Sequence, residues 1–376
     1  RYFENVKKLL EWSAEEYGND TVYSFRPTPR AEIVKKSFVE FRDDVRALAS
    51  ELLAMGCAGR HCVIIGKLSY EWAAMYYATL SIGGVLIPLD RDWQAEDLAA
   101  TVDRAEAKFL FCDADLKEKA AVIENKVSLA APTFYLNGKE EDASVASLIE
   151  KGREKFAADP NAYFNAPIDP HSMALLVFTS GTTGKGKGVM LSQANIGLDM
   201  TLGMYNFDIT RKTLHVLPPH HTFGSTVNFV GHLSQGCEVY ISSGIKHVSD
   251  EIKEQQPTHL ILVPAFLEVM NRKIWATARK SGKEGLLKVM MKVSDCLRKV
   301  GIDVRRKLFA SVLSAFGGKL ELIICGGAKL DEEIIRTFDS LGITILNGYG
   351  ITECAPLISA NRNKYRTPGS VGTPIL

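Results

Sequence analysis

The sequence is short of several things that would each have fixed its class. No apolar run reaches the roughly 18 residues of a membrane span; Leu260–Phe266 is among the longest and contains Pro264. Charge of one sign is missing too. The formal net charge is +1, which gives no global reason to expect nucleic-acid binding. The seven cysteines (Cys57, Cys62, Cys112, Cys237, Cys296, Cys325 and Cys354) include no C-x-x-C pair. An odd, scattered set suits neither a zinc site nor a disulfide framework, and it points to a reducing, cytoplasmic setting. The N-terminal Arg1-Tyr-Phe-Glu-Asn5 has neither an initiator Met nor a signal peptide's apolar region, and no internal repeat is visible.

What is present is an ordinary globular composition, 46% hydrophobic and 24% charged over 376 residues. That length accommodates two or more units of about 100–200 residues. Helical and strand patterns alternate through the first part. Ser37–Met55 carries apolar residues at helical spacing and stops at Gly56. Cys62–Ile65, Val85–Pro88, Phe109–Cys112 and Thr133–Leu136 read as strands, with helices at Tyr70–Ile82, Glu96–Ala105, Leu116–Val127 and Ala143–Phe156. Such repetition predicts an α/β fold with a mostly parallel sheet flanked by helices. Ala157–His171, with its Pro, Asn and Asp residues, reads as a linker and divides the chain into α/β subdomains at 1–170 and 171–376. In the second part Leu214–Leu217, Glu238–Ile241, His259–Val263, Leu320–Cys325 and Ile343–Leu346 are the expected strands. Glu284–Phe316 is a basic helical insert, either a solvated face or a surface for anionic membranes.

The most informative stretch is Ser180-Gly-Thr-Thr-Gly-Lys-Gly-Lys-Gly188, set between apolar runs at Met173–Phe178 and Val189–Leu191. Glycines let successive backbone N–H groups converge on an anion, and threonine hydroxyls and lysines suit a polyphosphate. It nearly spells a Walker loop. Gly188, however, stands where that motif needs a hydroxyl, and Val189–Leu191 reads as a strand with a helix only after Ser192, an N-cap. Strand–loop–strand is the wrong setting for a P-loop. A second cluster, Asn347-Gly-Tyr-Gly-Ile-Thr-Glu353, follows the strand Ile343–Leu346, at the sheet edge where α/β proteins bind ligands. It offers an aromatic face, close-approach glycines, a hydroxyl and a carboxylate of the kind that Mg²⁺ takes alongside phosphates.

Together, Thr179–Val189 and Tyr349–Glu353 resemble the signatures of the adenylate-forming (AMP-binding) superfamily, which includes acyl- and aryl-CoA synthetases. Leu217-Pro-Pro-His-His-Thr-Phe-Gly224 and Gly369-Ser-Val-Gly-Thr-Pro374 are similar to two further segments of that family, so the resemblance covers the whole chain. It implies that Thr179, Ser180, Gly181, Thr182, Thr183, Gly184 and Lys187 embrace the β- and γ-phosphates of ATP. Gly326, Gly327 and Ala328 would border the adenine and the acyl carboxylate. Asn347, Gly348, Tyr349 and Gly350 would hold adenine, with Thr352 near the α-phosphate, Glu353 on Mg²⁺ and His221 in the acid pocket beside His220. Thr182, Lys187, His221, Thr352 and Glu353 would then carry the chemistry, with coenzyme A as the thiol acceptor.

Two departures bear on that reading. Gly186 replaces the proline usual before Lys187, so a loop less ordered without nucleotide is expected. Leu376 comes before the family's ribose-binding aspartate, hinge and small C-terminal lid domain with its lysine. The expectation is therefore the large N-terminal part of such an enzyme, two subdomains and the start of a third (barrel) one, binding ATP weakly and adenylating poorly. Val263–Met270, Thr352–Ser359 and the helical insert look most like long-chain fatty acyl-CoA synthetases. An aryl-acid or amino-acid adenylation domain, or a non-catalytic nucleotide- or acyl-binding module, is the alternative.

Overall fold

A computed structural model describes residues 1–138, 143–179, 186–209 and 211–375. Its strands form two sheets. The first strands, β1 (Thr21–Phe25) and β2 (Val34–Ser37), are followed by β3 (His61–Ile65), β4 (Val85–Leu89), β5 (Phe109–Cys112) and β6 (Phe134–Tyr135). Next come β7 (Met173–Thr179), β8 (Lys187–Ser192), β9 (Lys212–His215), β10 (Glu238–Ile241) and β11 (His259–Leu262). The last four are β12 (Leu322–Cys325), β13 (Thr344–Gly350), β14 (Leu357–Ala360) and β15 (Thr373–Pro374).

The six-stranded sheet runs β6-β5-β3-β4-β7-β8, parallel except for β8. The nine-stranded sheet runs β15-β14-β13-β12-β11-β9-β10-β1-β2, with a parallel centre and antiparallel strands at both edges. Unbroken apolar runs such as Cys62-Val-Ile-Ile65 make sense here, because a parallel strand covered on both faces is buried at every residue. Side-chain alternation sends Cys62 and Ile64 into a central cluster and Val63 and Ile65 into an outer one. In the other sheet, Ile261 and Ile324 join the same central cluster, while Leu260 and Leu262 face a separate outer core. One continuous core therefore joins the two sheets.

Local signals act where the sequence puts them. Ser37 caps the Phe38–Ala54 helix in a reciprocal box with Glu40, and Ser192 caps Gln193–Met204 with Asn195. The antiparallel β7–β8 pair bears out the strand–loop–strand reading, with Thr179 directly opposite Lys187.

Two expectations need correction. The segment read as a linker contains a helix, Pro160–Phe164, capped by Asp159 and anchored by the fully buried Tyr163. The sheets themselves interleave along the chain: β1 and β2 belong to the nine-stranded sheet while β7 and β8 complete the six-stranded one. The strand expected at Ile343–Leu346 runs on to Gly350, so Asn347–Gly350 is itself strand, paired with β14. Among the described residues no helix is long and apolar enough to cross a membrane.

Candidate functional site

The strands β9, β11, β12 and β13 are parallel, so their carboxyl ends lie along one edge. From that edge hang four segments that contain or adjoin the candidate site residues. After β9 comes Leu217–Gly224, after β11 Val263, after β12 Gly326–Ala328, and β13 ends in Gly350 before the short Thr352–Cys354 helix. The strand that starts at Lys187 lies against that short helix, which brings the second strand of the glycine-lysine hairpin beside the Thr352–Glu353 motif.

A cavity of about 380 Å³ opens among these segments. His221, Gly326, Gly327, Gly348, Tyr349, Gly350 and Thr352 all line it. Asn347 is not in its lining; it is buried behind it, its carbonyl accepting the N–H of Asn361 at 2.9 Å. Ala328 and Glu353 lie outside the lining as well, on exposed turns. Thr179 is half-buried at the end of β7, and Lys187 is exposed across from it. Ser180, Gly181, Thr182, Thr183 and Gly184 lie outside the described residues. The carbonyl of Gly186, the residue in the proline position, accepts from Arg104 at 2.8 Å, and Arg104 also lies over the Phe178 ring.

The cavity wall depends on bare backbone at a few places. A Cβ on Gly224 would come within 2.0 Å of the Pro218 carbonyl oxygen, so only glycine lets the chain turn under His221 and enter the π-helix Phe223–Gly231. A Cβ on Gly350 would meet the Pro356 oxygen at 2.2 Å, which fixes the approach of the Thr352–Cys354 turn. Gly326 lies flat between the Phe223 ring and the Gly348 carbonyl.

The two histidines are packed ring to ring, 4.2 Å between centroids. His220 points its Nε2 toward Asp90 Oδ2 at 3.8 Å, at the carboxyl end of β4 in the other sheet. Burial, with a smaller contribution from His221, pushes the His220 imidazole down to about 4 against the pull of Asp90 and Asp92. Burial also lowers His221, opposed by Asp90. Both rings are therefore neutral near pH 7, and His221 presents a neutral polar edge to the cavity.

Sequence reasoning missed the far wall. Met200, Gly203 and Met204 of the Gln193–Met204 helix, together with Phe223, Val263 and Leu357, complete the cavity. Methionines at helical spacing look like core packing, and nothing short of the fold shows that they face a void.

Glu353 is exposed and has no ion pair with the described residues, and no group of three His, Cys, Asp or Glu side chains among them could cage a metal. A single carboxylate free of ion pairs is the kind of donor that Mg²⁺ takes alongside substrate phosphates.

On the other face of the nine-stranded sheet lies a larger cavity of about 670 Å³. Leu214, Val216, Leu260 and Leu262 form its floor, and helices Pro264–Lys280 and Glu284–Lys299 roof it. The two linings adjoin in sequence at Val216–Leu217 and at Leu262–Val263, and after Val263 of the first cavity Ala265 and Phe266 line the larger one.

Comparison with known proteins agrees with this arrangement. A long-chain-fatty-acid–CoA ligase, FadD15, of Mycobacterium bovis is 26% identical over 357 residues, covering 89% of this chain and 59% of that protein. The chain thus spans little more than half of that relative's length. The N-terminal domain of FACL13 from Mycobacterium tuberculosis superposes with a TM-score of 0.73 at 17% identity, over 100% of this chain and 83% of that one. The anthranilate CoA ligase AuaEII, solved with anthranoyl-AMP, gives 0.75 at 16% identity over 100% of this chain and 64% of that one. At such identities the superpositions speak for the fold, that of the N-terminal domain of adenylate-forming enzymes. The family model described as AMP-binding enzyme matches residues 10–376, and so the chain belongs to the AMP-binding enzyme family.

Proposed function

We propose that this chain is the nucleotide- and acid-binding part of an acid–thiol ligase that activates a long-chain carboxylic acid, first as acyl adenylate and then as a thioester of coenzyme A. The observation that carries the proposal is the 380 Å³ cavity, in which His221, the Gly326–Gly327 bed and Gly348–Thr352 converge beside the hairpin of Thr179 and Lys187.

The chemistry asks little of general bases. A carboxylic acid is already ionised at neutral pH. Its carboxylate oxygen attacks the α-phosphorus of ATP, an acyl–phosphate bond forms, and pyrophosphate leaves with the bonding electrons. A thiol sulfur then attacks the acyl carbonyl, and AMP leaves. The protein's part is in-line positioning and cancellation of charge on the leaving group. Lys187 and Thr179 stand where the hairpin meets that charge. Glu353 and the nucleotide phosphates would hold Mg²⁺, which supplies further neutralisation when bound. Neutral His221 donates to a carboxylate oxygen without trapping it as an ion pair, so the oxygen stays free to react.

The chain-length reading draws on the second cavity. It is lined chiefly by aliphatic and aromatic side chains and lies beyond Val263–Phe266, where an acyl tail leaving the first cavity would pass. Each buried CH₂ contributes about 0.8 kcal/mol, so such a cavity selects for length. The test is calorimetric binding of a hexadecanoyl sulfamoyl-adenosine against its benzoyl counterpart. Preference for the long chain is expected; preference for the benzoyl compound would transfer the proposal to aryl acids, and binding of neither would remove it.

A further inference from the structure

The Glu284–Lys299 helix leaves an apolar face uncovered. Leu286, Val289 and Val293 are 57%, 57% and 51% exposed, Val300 at the helix end is 72% exposed, and Cys296 is exposed between them. Single exposed apolar residues are normal. These five are not scattered: at about 100° per residue they fall within an arc of roughly 80°. The core-facing side is separate, with Leu287 and Ser294 buried on it. The helix thus carries two apolar faces, one packed and one bare.

Charge runs beside the bare face. Lys288, Lys292 and Lys299 form a row along one flank by the same angular reckoning, and Lys283 stands on the other flank at the start of the helix. The acids that could balance them are engaged elsewhere. Asp295 pairs with Arg298 and accepts from Ser340, and Asp303 is held by Arg305. Glu284 takes Lys288 at 2.8 Å, whereas Lys292 and Lys299 have no acidic partner among the described residues. The arginines of this insert are likewise used internally, Arg298 and Arg305 on Asp339 and Arg306 on the carbonyls of Gly318 and Leu320. What the helix presents outward is therefore an aliphatic stripe with unpaired lysines.

The stripe also runs into an opening. Leu286 lines the 670 Å³ cavity while being more than half exposed, and so do Val269 and Ile245, at 54% and 74%. Lys273 and Lys283 line the same cavity. The mouth of an apolar cavity and a bare apolar helix face thus form one surface edged by lysines.

We infer that this surface docks on an anionic lipid bilayer, with the Glu284–Lys299 helix lying in the interface plane and the cavity mouth turned to the acyl region. A bilayer supplies both things the surface lacks, a hydrocarbon layer for Val289 and Val293 and phosphate negative charge for Lys292 and Lys299. A protein partner would have to bring an apolar groove and acidic side chains at matched spacing; a second copy would set lysine row against lysine row. The docking surface stands independently of the ligase reading, and only entry of a membrane-borne acyl chain through the mouth rests on it.

The experiment is co-sedimentation with vesicles of phosphatidylcholine alone and of phosphatidylcholine mixed with phosphatidylglycerol. Binding to the mixed vesicles, weakened by salt and absent from the neutral ones, is the expected result. The double change Lys292→Glu with Lys299→Glu should weaken it by at least about 30-fold, two lysines being worth about 1 kcal/mol each near an anionic surface. Val289→Ser with Val293→Ser should weaken it with little change in melting temperature, since both side chains are more than half exposed. Equal sedimentation with both vesicle types, or undiminished binding of both variants, overturns the inference. So does a dimer in light scattering that the valine variant dissociates, because a second copy would then cover the stripe. Binding of the hexadecanoyl analogue, measured on the same samples, reports on the ligase reading separately.

Discussion

The Asp199 carboxylate accepts the backbone N–H of Leu357 at 3.1 Å, tying the Gln193–Met204 helix to the strand that returns from the Thr352–Cys354 turn. Its second oxygen is buried without a hydrogen-bond partner among the described residues, and burial pushes the group up to about 8, opposed by the Leu357 N–H. A raised folded-state value means that Asp199 favours the folded chain below about 4 and loses that contribution as pH rises to about 8. Asn keeps an acceptor and cannot ionise. The melting temperature of Asp199→Asn should therefore gain on the wild type between pH 4 and 8 and run parallel above that. A difference independent of pH would show that Asp199 is not carrying a proton.

Three buried histidines work in the opposite sense. His215, His232 and His259 sit inside the core, with Nε2 of His232 and His259 2.8 Å apart. Burial lowers His215 to about 3 and His232 to about 4, and takes His259 well below its ordinary value. Unfolding lets each take up a proton below pH 6.5, so their contribution is complete above that value and is lost as pH falls toward 4. Thermal melts should show a steep fall in stability below pH 6.5, three histidines outweighing the one aspartate. His215→Phe, which fills the volume without a titratable ring, should flatten the fall.

Lys187→Ala tests the phosphate assignment. A charge-assisted hydrogen bond to a phosphate is worth about 1.5–3 kcal/mol, which corresponds to a loss in ATP affinity of roughly 10- to 150-fold. The exposed side chain packs on nothing that would unfold the chain. Isothermal calorimetry giving the same affinity for the variant would remove Lys187 from the site.

Gly224→Ala should damage the His221 turn. The added methyl would lie 2.0 Å from the Pro218 oxygen, a backbone atom that cannot swing away. Overpacking of this kind costs about 1–3 kcal/mol, and it should appear as a lower urea midpoint together with weaker binding of the acyl-adenylate analogue. An unchanged midpoint would mean that the turn can relax, and the glycine would then have no structural necessity.

Ala278→Phe fills the larger cavity from the last turn of the Pro264–Lys280 helix. Affinity for hexadecanoyl sulfamoyl-adenosine should fall by at least tenfold, several CH₂ groups at about 0.8 kcal/mol each being excluded. A butanoyl analogue should bind as before. Equal losses for both chain lengths would point to a general disturbance rather than to occupied space.

Much of this was legible in the chain. β10 has the bounds expected at Glu238–Ile241, and the parallel strands stood out because a strand buried on both faces must be apolar throughout. The hairpin setting of the glycine-lysine loop could be read from Gly188 and Ser192, two residues whose chemistry rules out a P-loop helix. Thr21–Phe25 and Val34–Ser37 could not be found that way. β1 mixes Thr and Ser with its apolar residues, and β2 is an edge strand whose Lys35 and Lys36 need no burial. The site divides along the same line. Residues that shape backbone, such as Gly326 and Gly348, announce themselves by type. Met200 and Met204 gain their role only from where a helix comes to rest, and the arrangement of Ser180–Gly184 lies outside the described residues.

The interlaced strand order has a consequence for how the molecule comes into being. Tyr23 of β1 finds its parallel partner, Val239 of β10, only after every strand of the six-stranded sheet has been synthesised. Until then the β1–β2 hairpin waits with an open edge, and long-range pairings of this sort form slowly and expose sticky intermediates. Severing the chain near residue 170 would strand that hairpin on one piece and β7–β8 on the other. Each half would be born with its neighbour's missing edge, so the fold matures as one unit or aggregates as two.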